Sequence, residues 1–542
     1  MQGTAGENTH WSSRAAFIMA AIGSAVGLGN LWRFPYVAGE NGGGAFVLFY
    51  ILCVALIGLP VLVAELCIGR RGGMSAVGSV VKIAKAEGRS PLWAAQSWFG
   101  MLGAFVILTF YSVIAGWVLA YVTMIGGDLF AAIAKDGIAG LSSPAFAGLT
   151  DAQVSAKLVD LLNDPTRMII FHGLFMVVTV GIVMRGIKGG IETAVTFLMP
   201  AFFVLLFILL IYSLATGDTS RGVDFLLGVR LGDSELADGT IQRGLLHGLR
   251  DGSVISAALG QAFFSIGLGS ALMVTYGAYM RTDQDLPRSA RLVAIADTGV
   301  GIIAGLAIFP IVFAMNLDAG GGPTLMFQTL PLAFHGLPFG GIFGLFFFLL
   351  AFFAAITSSI ALLEVSTKWV DEQTKSDQRF FSAAGLGIVA FAIGVLNALS
   401  QVPRTSPTGV DQSTFWNTWQ PLGHMRLFEG QTLLDFLSAT TDIILPVAGF
   451  ITAVFAGWIV STATAREAIG FKSEIWFKRW QFLVRYVCTT GIFLVIVYST
   501  IISPWLASRA EAQACAAAVE AVASNSADDA QAALAESCTA DE

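Results

Sequence analysis

The chain has 542 residues, of which 55% are apolar and only 12% charged, with a formal net charge of −7. A soluble surface carries about twice that share of charge, so an array of soluble domains is excluded. Five Cys exclude a secreted disulfide scaffold, and the negative balance excludes a nucleic-acid binder, which leaves a polytopic protein solvated by the lipid bilayer.

A transmembrane helix needs about 20 mostly apolar residues. Eleven such spans are predicted, over 14–37, 44–69, 97–125, 168–184, 192–216, 255–279, 292–314, 342–364, 381–399, 433–460 and 480–503. The first is not a cleavable leader, because it runs through Arg33-Phe34-Pro35 into the second without a small-residue cleavage site. The expected organisation is an N-terminal segment 1–11, a five-helix unit 12–216, a loop 217–254 and a second five-helix unit 255–460. A linker with helix 11 (461–503) and an acidic, Ala-rich tail (504–542) follow.

Basic residues set the orientation. Arg70, Arg71, Lys82, Lys85 and Arg89 follow span 2, and Arg185 and Lys188 follow span 4. Arg281, Arg288 and Arg291 follow span 6, Lys368, Lys375 and Arg379 follow span 8, and Arg466, Lys472, Lys478, Arg479 and Arg485 follow span 10. These are alternate loops and share one side, read as the cytoplasm; loop 315–341 holds Asp318 and no Lys or Arg. The N-terminus is then cytoplasmic and the C-terminus extracytoplasmic, in an inner (cell) membrane protein.

Span 1 contains Gly23-Ser24-Ala25-Val26-Gly27-Leu28-Gly29-Asn30 and span 6 contains Phe263-Phe264-Ser265-Ile266-Gly267-Leu268-Gly269-Ser270. Both place Gly-Leu-Gly at mid-membrane, five helices apart, and an odd number of helices inverts the second unit relative to the first. Small residues also serve helix packing. Matched interruptions in two halves, however, mark a transporter's binding site, where free carbonyls attract cations and half-helix N-termini attract anions.

The stretch Gly23-Ser24-Ala25-Val26-Gly27-Leu28-Gly29-Asn30-Leu31-Trp32-Arg33-Phe34-Pro35 resembles the first-helix signature of the neurotransmitter:sodium symporter family. Glu40-Asn41-Gly42-Gly43-Gly44-Ala45-Phe46, Gly260-Gln261-Ala262-Phe263-Phe264-Ser265 and Thr357-Ser358-Ser359 match further family motifs, and the likeness runs from about residue 11 to 503. It implies an all-α polytopic protein of the LeuT type: eleven transmembrane helices, a 5+5 inverted repeat, and helices 1 and 6 broken. The implied activity is not enzymatic. It is sodium-coupled import of a neutral, hydrophobic or aromatic L-amino acid by alternating access. A non-α amino compound as substrate is the alternative, and a cation channel is the rival class.

One sodium position implied by the resemblance uses the carbonyls of Gly23, Val26 and Ala354 with the hydroxyls of Thr357 and Ser358. Oxygen ligands suit a hard cation, and Ala354, Thr357 and Ser358 share one helix face; Ser/Thr bonding back onto the helix is the plainer alternative. The other position maps onto the Ala25 carbonyl, Asn30, Ser265 and Asp297. A mid-membrane carboxylate is costly and marks function by default. Gly301 stands where chloride-dependent relatives carry Ser and others an acid, while Tyr50, Gln261 and Ser265 fill the remaining chloride-site positions. Asp297 is therefore expected to supply the fixed negative charge, making chloride dispensable, and it is a candidate proton carrier on the return step. One or two Na⁺ are implied.

The implied substrate pocket comprises Ser24, Ala25, Gly27, Leu28, Gly29, Ile107, Tyr111, Phe264, Ser265, Gly267, Ser270, Ser358 and Leu362. Gly27 stands where monoamine carriers place an Asp, which favours an α-amino acid bringing its own carboxylate; small Gly267 and Ser270 favour a bulky side chain. Arg33 and Asp435 resemble an outer gate pair, Phe264 a lid, and Trp11 an inner plug. Asn8 replaces a family Arg, so an inner salt bridge to Asp371 or Glu372 is in question. Glu65 is expected to accept from amides freed by the span 6 break. His10, His172, His247, His335 and His424 have no metal-ligand spacing and are expected in loops or at interfaces. Cys53, Cys67 and Cys488 are expected as packing residues, whereas a helical hairpin in the tail would bring Cys515 to Cys538 for a disulfide.

Overall fold

The computed structural model of the chain describes residues 10–235, 241–242, 244–319, 322–374, 379–423, 425 and 429–523. Among them, nine helices are long and apolar enough to cross a membrane: Gly44–Gly72, Pro91–Ser142, Pro165–Val183, Ile187–Thr216, Leu286–Ala314, Gly340–Thr374, Arg379–Ser400, Leu433–Ile459 and Glu474–Leu506. Span 1 is a tenth, bent by 48° between Arg14–Ala25 and Gly29–Glu40. At the expected span 6 the helix is in two pieces, Ser253–Ile266 and Leu272–Ala278, each too short to cross alone, which is consistent with the eleven spans expected. Both interruptions expected from the Gly-Leu-Gly motifs are present. Outside the helices, the loop after span 5 carries a small antiparallel ribbon of Ser234–Glu235 on Ile241–Gln242.

The breaks have local causes. In span 1 the chain turns extended at Val26 (φ −75, ψ 105). The freed Gly27 amide donates to Asn30 Oδ1 at 3.1 Å and the Leu28 amide to Tyr111 Oη at 3.3 Å. In span 6, Gly267 and Gly269 have φ of 72° and 75°. A Cβ at Gly269 would lie 2.1 Å from the Leu445 carbonyl oxygen, so no other residue fits there. The Gly269 amide donates to Glu65 Oε1 at 2.7 Å, the role expected of Glu65. These bonds matter, since an unsatisfied amide at membrane depth costs several kcal/mol, of order the whole stability of a fold.

The helices form an inner and an outer layer. About 78% of the apolar stretch of span 3 and 72% of that of span 8 is buried, against 33% for spans 4, 5 and 9 and 11% for span 11. Lipid tails are as apolar as Leu, so close backbone approach replaces the hydrophobic drive between helices. A Cβ at Gly69 of span 2 would meet the Val274 carbonyl oxygen at 2.0 Å, and one at Gly277 the Leu66 carbonyl oxygen at 2.7 Å. Glycines thereby lock span 2 against the second half of span 6.

Two expectations need correction. His172 is fully buried in Pro165–Val183, not in a loop; its Nε2 lies 3.0 Å from Ser112 Oγ and its ring stacks on Phe391. The space is left by Gly394, where a Cβ would lie 2.3 Å from His172 Cε1. Nor does helix end at Pro504: a π-turn over Tyr498–Ile502 leads directly into Ser503–Ala523, the wider turn accommodating the missing proline N–H. Cys53, Cys67 and Cys488 are free thiols. Asn8 and Cys538, and with Cys538 the expected bridge to Cys515, lie outside the described residues.

Candidate functional site

The two breaks face each other across a cavity lined by Ser24, Ala25, Gly27, Gly29, Ile107, Tyr111, Phe264, Ser265, Gly267, Ser270, Ser358 and Leu362. These are the expected pocket residues apart from Leu28, whose backbone amide instead holds Tyr111. Leu272 and Leu445 complete the wall and were not anticipated. Leu272 Cδ1 stands 3.0 Å from where a Gly267 Cβ would be, so it takes part of the room that glycine leaves. Its wall combines the hydroxyls of Ser24, Ser265, Ser270, Ser358 and Tyr111 with the carbon of Ile107, Phe264, Leu272, Leu362 and Leu445. No Asp, Glu, Lys or Arg lines it.

Beside this cavity lies a buried cluster around Asp297. Ser265 Oγ is 2.8 Å from both carboxylate oxygens. Asn30 Nδ2 donates to Asp297 Oδ1 at 2.8 Å, to the Asp297 carbonyl at 2.9 Å and to Ser265 Oγ at 3.0 Å. Tyr50 Oη donates to Oδ2 at 3.4 Å. Gln261 Nε2 donates to the Gly29 carbonyl at 2.9 Å, leaving its Oε1 buried without a partner. Gly301 offers no group to the cluster; a Cβ there would press on Phe34 at 3.4 Å. The Asn30 amide turns its nitrogen to this cluster and its oxygen to the Gly27 amide, while Asp297 and Ser265 supply oxygen with one formal negative charge, the kind of ligand that suits Na⁺.

At the expected second sodium position, Gly23 backs onto span 8: its Cβ would lie 3.3 Å from Thr357 Cβ. Thr357 Oγ1 donates to the Ala354 carbonyl at 3.0 Å and Ser358 Oγ to the Ser24 carbonyl at 3.5 Å. Thr357 thus bonds back onto its own helix while Ser358 reaches across to span 1, and Val26 and Ala354 are fully buried.

The outer pairing differs from expectation. Arg33 lies 3.1 Å from Asp442, not against Asp435, and its guanidinium covers the Phe264 ring at 4.5 Å. Asp435 closes a capping box with Thr432 at the start of Leu433–Val454, at the 2.5 Å distance between Thr432 Oγ1 and Asp435 Oδ2. Asp442 is two turns deeper on the same helix. Asp442 is 47% exposed, so solvent screens the pair. A double-mutant cycle of Arg33→Gln with Asp442→Asn, read by thermal unfolding, is expected to give a coupling of about 0.2–1 kcal/mol. The same cycle with Asp435→Asn is expected to give none, and that single change to cost little, since an amide oxygen can close the box as Asn417 does with Thr414.

On the opposite side, Trp11 is buried, its Nε1 donating to the Tyr276 carbonyl and its amide to the Tyr279 carbonyl, both at 3.2 Å. Asp371 pairs with Arg379 at 3.4 Å, and Glu372 accepts from the Ser75 amide at 2.6 Å. Arg379 also pairs with fully buried Glu364, which accepts from Tyr279 Oη at 2.6 Å. Glu364 was passed over in the sequence, although the rule that singles out Asp297, a lone carboxylate in an apolar span, applies to it equally.

With this geometry in view, the chain matches the model of the sodium:neurotransmitter symporter family over residues 8–126 and 163–408. The chain belongs to that family. It is a sodium-dependent symporter of the family, whose members are transporters and not enzymes. An uncharacterized sodium-dependent transporter, YhdH of Bacillus subtilis, is 33% identical over 90% of this chain and 96% of its own length. The sodium-dependent nutrient amino acid transporter 1 of Drosophila melanogaster is 26% identical over 72% of this chain and 65% of its own. Among solved structures, MhsT in complex with L-phenylalanine aligns with a TM-score of 0.76 at 36% identity, covering 90% of this chain and 99% of that one. The symporter architecture, with helices 1 and 6 broken, is therefore that of a LeuT-type fold.

Proposed function

We propose that this symporter imports a neutral L-amino acid with a hydrophobic or aromatic side chain, driven by Na⁺ and without need of chloride. The observation that carries the reading is the cavity's lining: serine hydroxyls, Tyr111 and the two helix breaks together with aliphatic and Phe264 carbon, and no ionised side chain in the wall. An α-amino acid combines the same two kinds of group. Its carboxylate meets the Tyr111 hydroxyl, which the Leu28 amide holds in place, and the Gly29 amide, and its ammonium meets carbonyls of the two breaks. A charged side chain would be left unpaired at a cost of several kcal/mol. The relatives named for nutrient amino acids and the L-phenylalanine complex of MhsT support the same class.

In this reading Asn30, Ser265, Asp297 and the Ala25 carbonyl hold one Na⁺, and Gly23, Val26, Ala354, Thr357 and Ser358 a second. The Asp297 carboxylate, with Tyr50 and Ser265 donating to it, takes the place of an exchangeable anion. Arg33 and Asp442 close over Phe264 on the outer side, and Trp11 with Glu364, Arg379 and Tyr279 closes the inner side. The base-rich loops put the N-terminus in the cytoplasm.

The deciding measurement is a binding scan of the twenty amino acids on purified protein, with Na⁺ and with an inert cation of equal ionic strength. Aliphatic and aromatic neutral amino acids are expected to bind at least tenfold more tightly in Na⁺. Binding indifferent to Na⁺ overturns the coupling, and binding confined to amines without a carboxylate overturns the substrate class.

A further inference from the structure

The base-rich end of the molecule holds two adjoining cavities that the transport cycle does not use. The first, about 370 Å³, is a cleft among spans 2, 7 and 11. Its wall is carbon: Leu59, Pro60, Val63, Phe471, Trp476 and Trp480 among others. The second, about 470 Å³, is a polar bowl lined by Arg14, Arg281, Arg288 and Lys472, with Asp283 and Asp285. The two share Asp285 and Lys472, so the apolar cleft opens into the basic bowl.

The acids of the bowl are engaged within their own loop. Asp283 pairs with Arg281 at 3.1 Å, and Asp285 caps the next helix by accepting from the Arg288 amide at 2.9 Å. The bases are not matched. Among the described residues no ion pair is made by Arg14, Arg288, Arg291 or Lys472. Arg14 Nε and Nη2 are buried and without a hydrogen-bond partner. Arg291 and Arg479 add positive charge at the rim of the cleft. Trp476, 57% exposed, and Trp480 sit at the start of span 11, the depth that tryptophan prefers at a membrane boundary.

A ligand matching this shape has a long apolar part and a compact anionic head. We propose that the cleft and bowl bind an anionic glycerophospholipid, with its acyl chains along the Leu59–Trp480 wall and its phosphate among Arg14, Arg288 and Lys472. Basic pockets between spans at the membrane boundary are suited to such headgroups, each cation there contributing a roughly fivefold gain in affinity. Bound there, the lipid would join span 7, which carries Asp297, to span 2, which carries Glu65. The proposal rests on the basic loops lying at the membrane boundary and is independent of which amino acid is carried.

The test uses the full chain, purified in detergent and examined by native mass spectrometry with dioleoylphosphatidylglycerol or dioleoylphosphatidylcholine added in turn. The anionic lipid is expected to remain as a one-to-one adduct and the zwitterionic one to be lost. Arg288→Gln with Lys472→Gln is expected to weaken retention of the anionic lipid roughly thirtyfold. Lys472→Gln alone, on a loop, is expected to weaken it about fivefold, which keeps the test open should the double variant misfold. Sodium-stimulated amino-acid binding, measured on the same samples, reports separately on the functional reading. Equal retention of the two lipids, or retention unchanged in the Lys472 variant, overturns the proposal. Displacement of the lipid by millimolar inorganic phosphate also overturns it, assigning the bowl to a free anion.

Discussion

Asp297→Asn is expected to lower sodium-dependent uptake more than a hundredfold in chloride-free vesicles, and chloride is expected to restore part of it. The amide keeps the size and one oxygen of the carboxylate, so a cation can still be coordinated; what disappears is the negative charge. Asp297 is fully buried, and its oxygens are surrounded by Ser265, Asn30 and Tyr50 and by no other carboxylate in the hydrogen-bonded cluster. Removing one member of a buried charge pair costs about 3–5 kcal/mol, because the remaining ion is left uncompensated. At 1.4 kcal/mol per decade, the lower figure alone exceeds a hundredfold in sodium affinity. In the variant, Tyr50 and Ser265 lose the anion to which they donate, so their hydroxyls are free for chloride. Wild-type uptake is expected to be equal in chloride and in gluconate. A wild-type requirement for chloride, or a variant that transports normally without it, removes Asp297 from this role.

Much of this was legible in the sequence because membrane depth constrains the backbone severely. Gly267 and Gly269 could be read as a break because the Gly-Leu-Gly of span 1 recurs five helices later at the same depth, where unwound backbone is tolerated only inside protein or beside a cavity; the pocket residues came from the family resemblance. The outer pair was not legible in the same way. Asp435 and Asp442 lie two turns apart on one face of one helix, and spacing alone does not say which is level with Arg33. Yet Thr432-Leu433-Leu434-Asp435 carries the Ser/Thr-x-x-Glu/Asp pattern of a helix start, so the engagement of Asp435 as a cap was there to be found. Leu272 and Leu445 left no signal. Each is one Leu among many, brought to the cavity by the turn at Ala271 and by the contact of Gly269 with the Leu445 carbonyl. His172 was misplaced because a ring's burial depends on the hole left by Gly394, some 200 residues away in sequence.

Gly27→Ala is expected to abolish measurable uptake while leaving the protein folded and in the membrane. The methyl group would stand 2.4 Å from Ser358 Oγ and 3.2 Å from Tyr111 Oη, two of the hydroxyls that line the cavity. Under 3 Å something must shift. Ser358 Oγ can rotate away only by leaving the Ser24 carbonyl, and Tyr111 is held by the Leu28 amide. Overpacking of this kind costs about 1–3 kcal/mol, small beside total stability but concentrated where the amino-acid carboxylate and a sodium ion are proposed to meet. The loss should therefore appear as failed binding, with a folded, monodisperse protein of near-normal thermal stability. Ser358→Ala removes the nearer obstacle, leaving Tyr111 Oη at 3.2 Å and the Cβ at position 358 at 3.3 Å as the next contacts. In that background Gly27→Ala is expected to cost at least tenfold less, relative to Ser358→Ala alone, than in the wild type. Equal penalties in the two backgrounds would show that Gly27 is required for the backbone turn and not for the room it leaves beside Ser358.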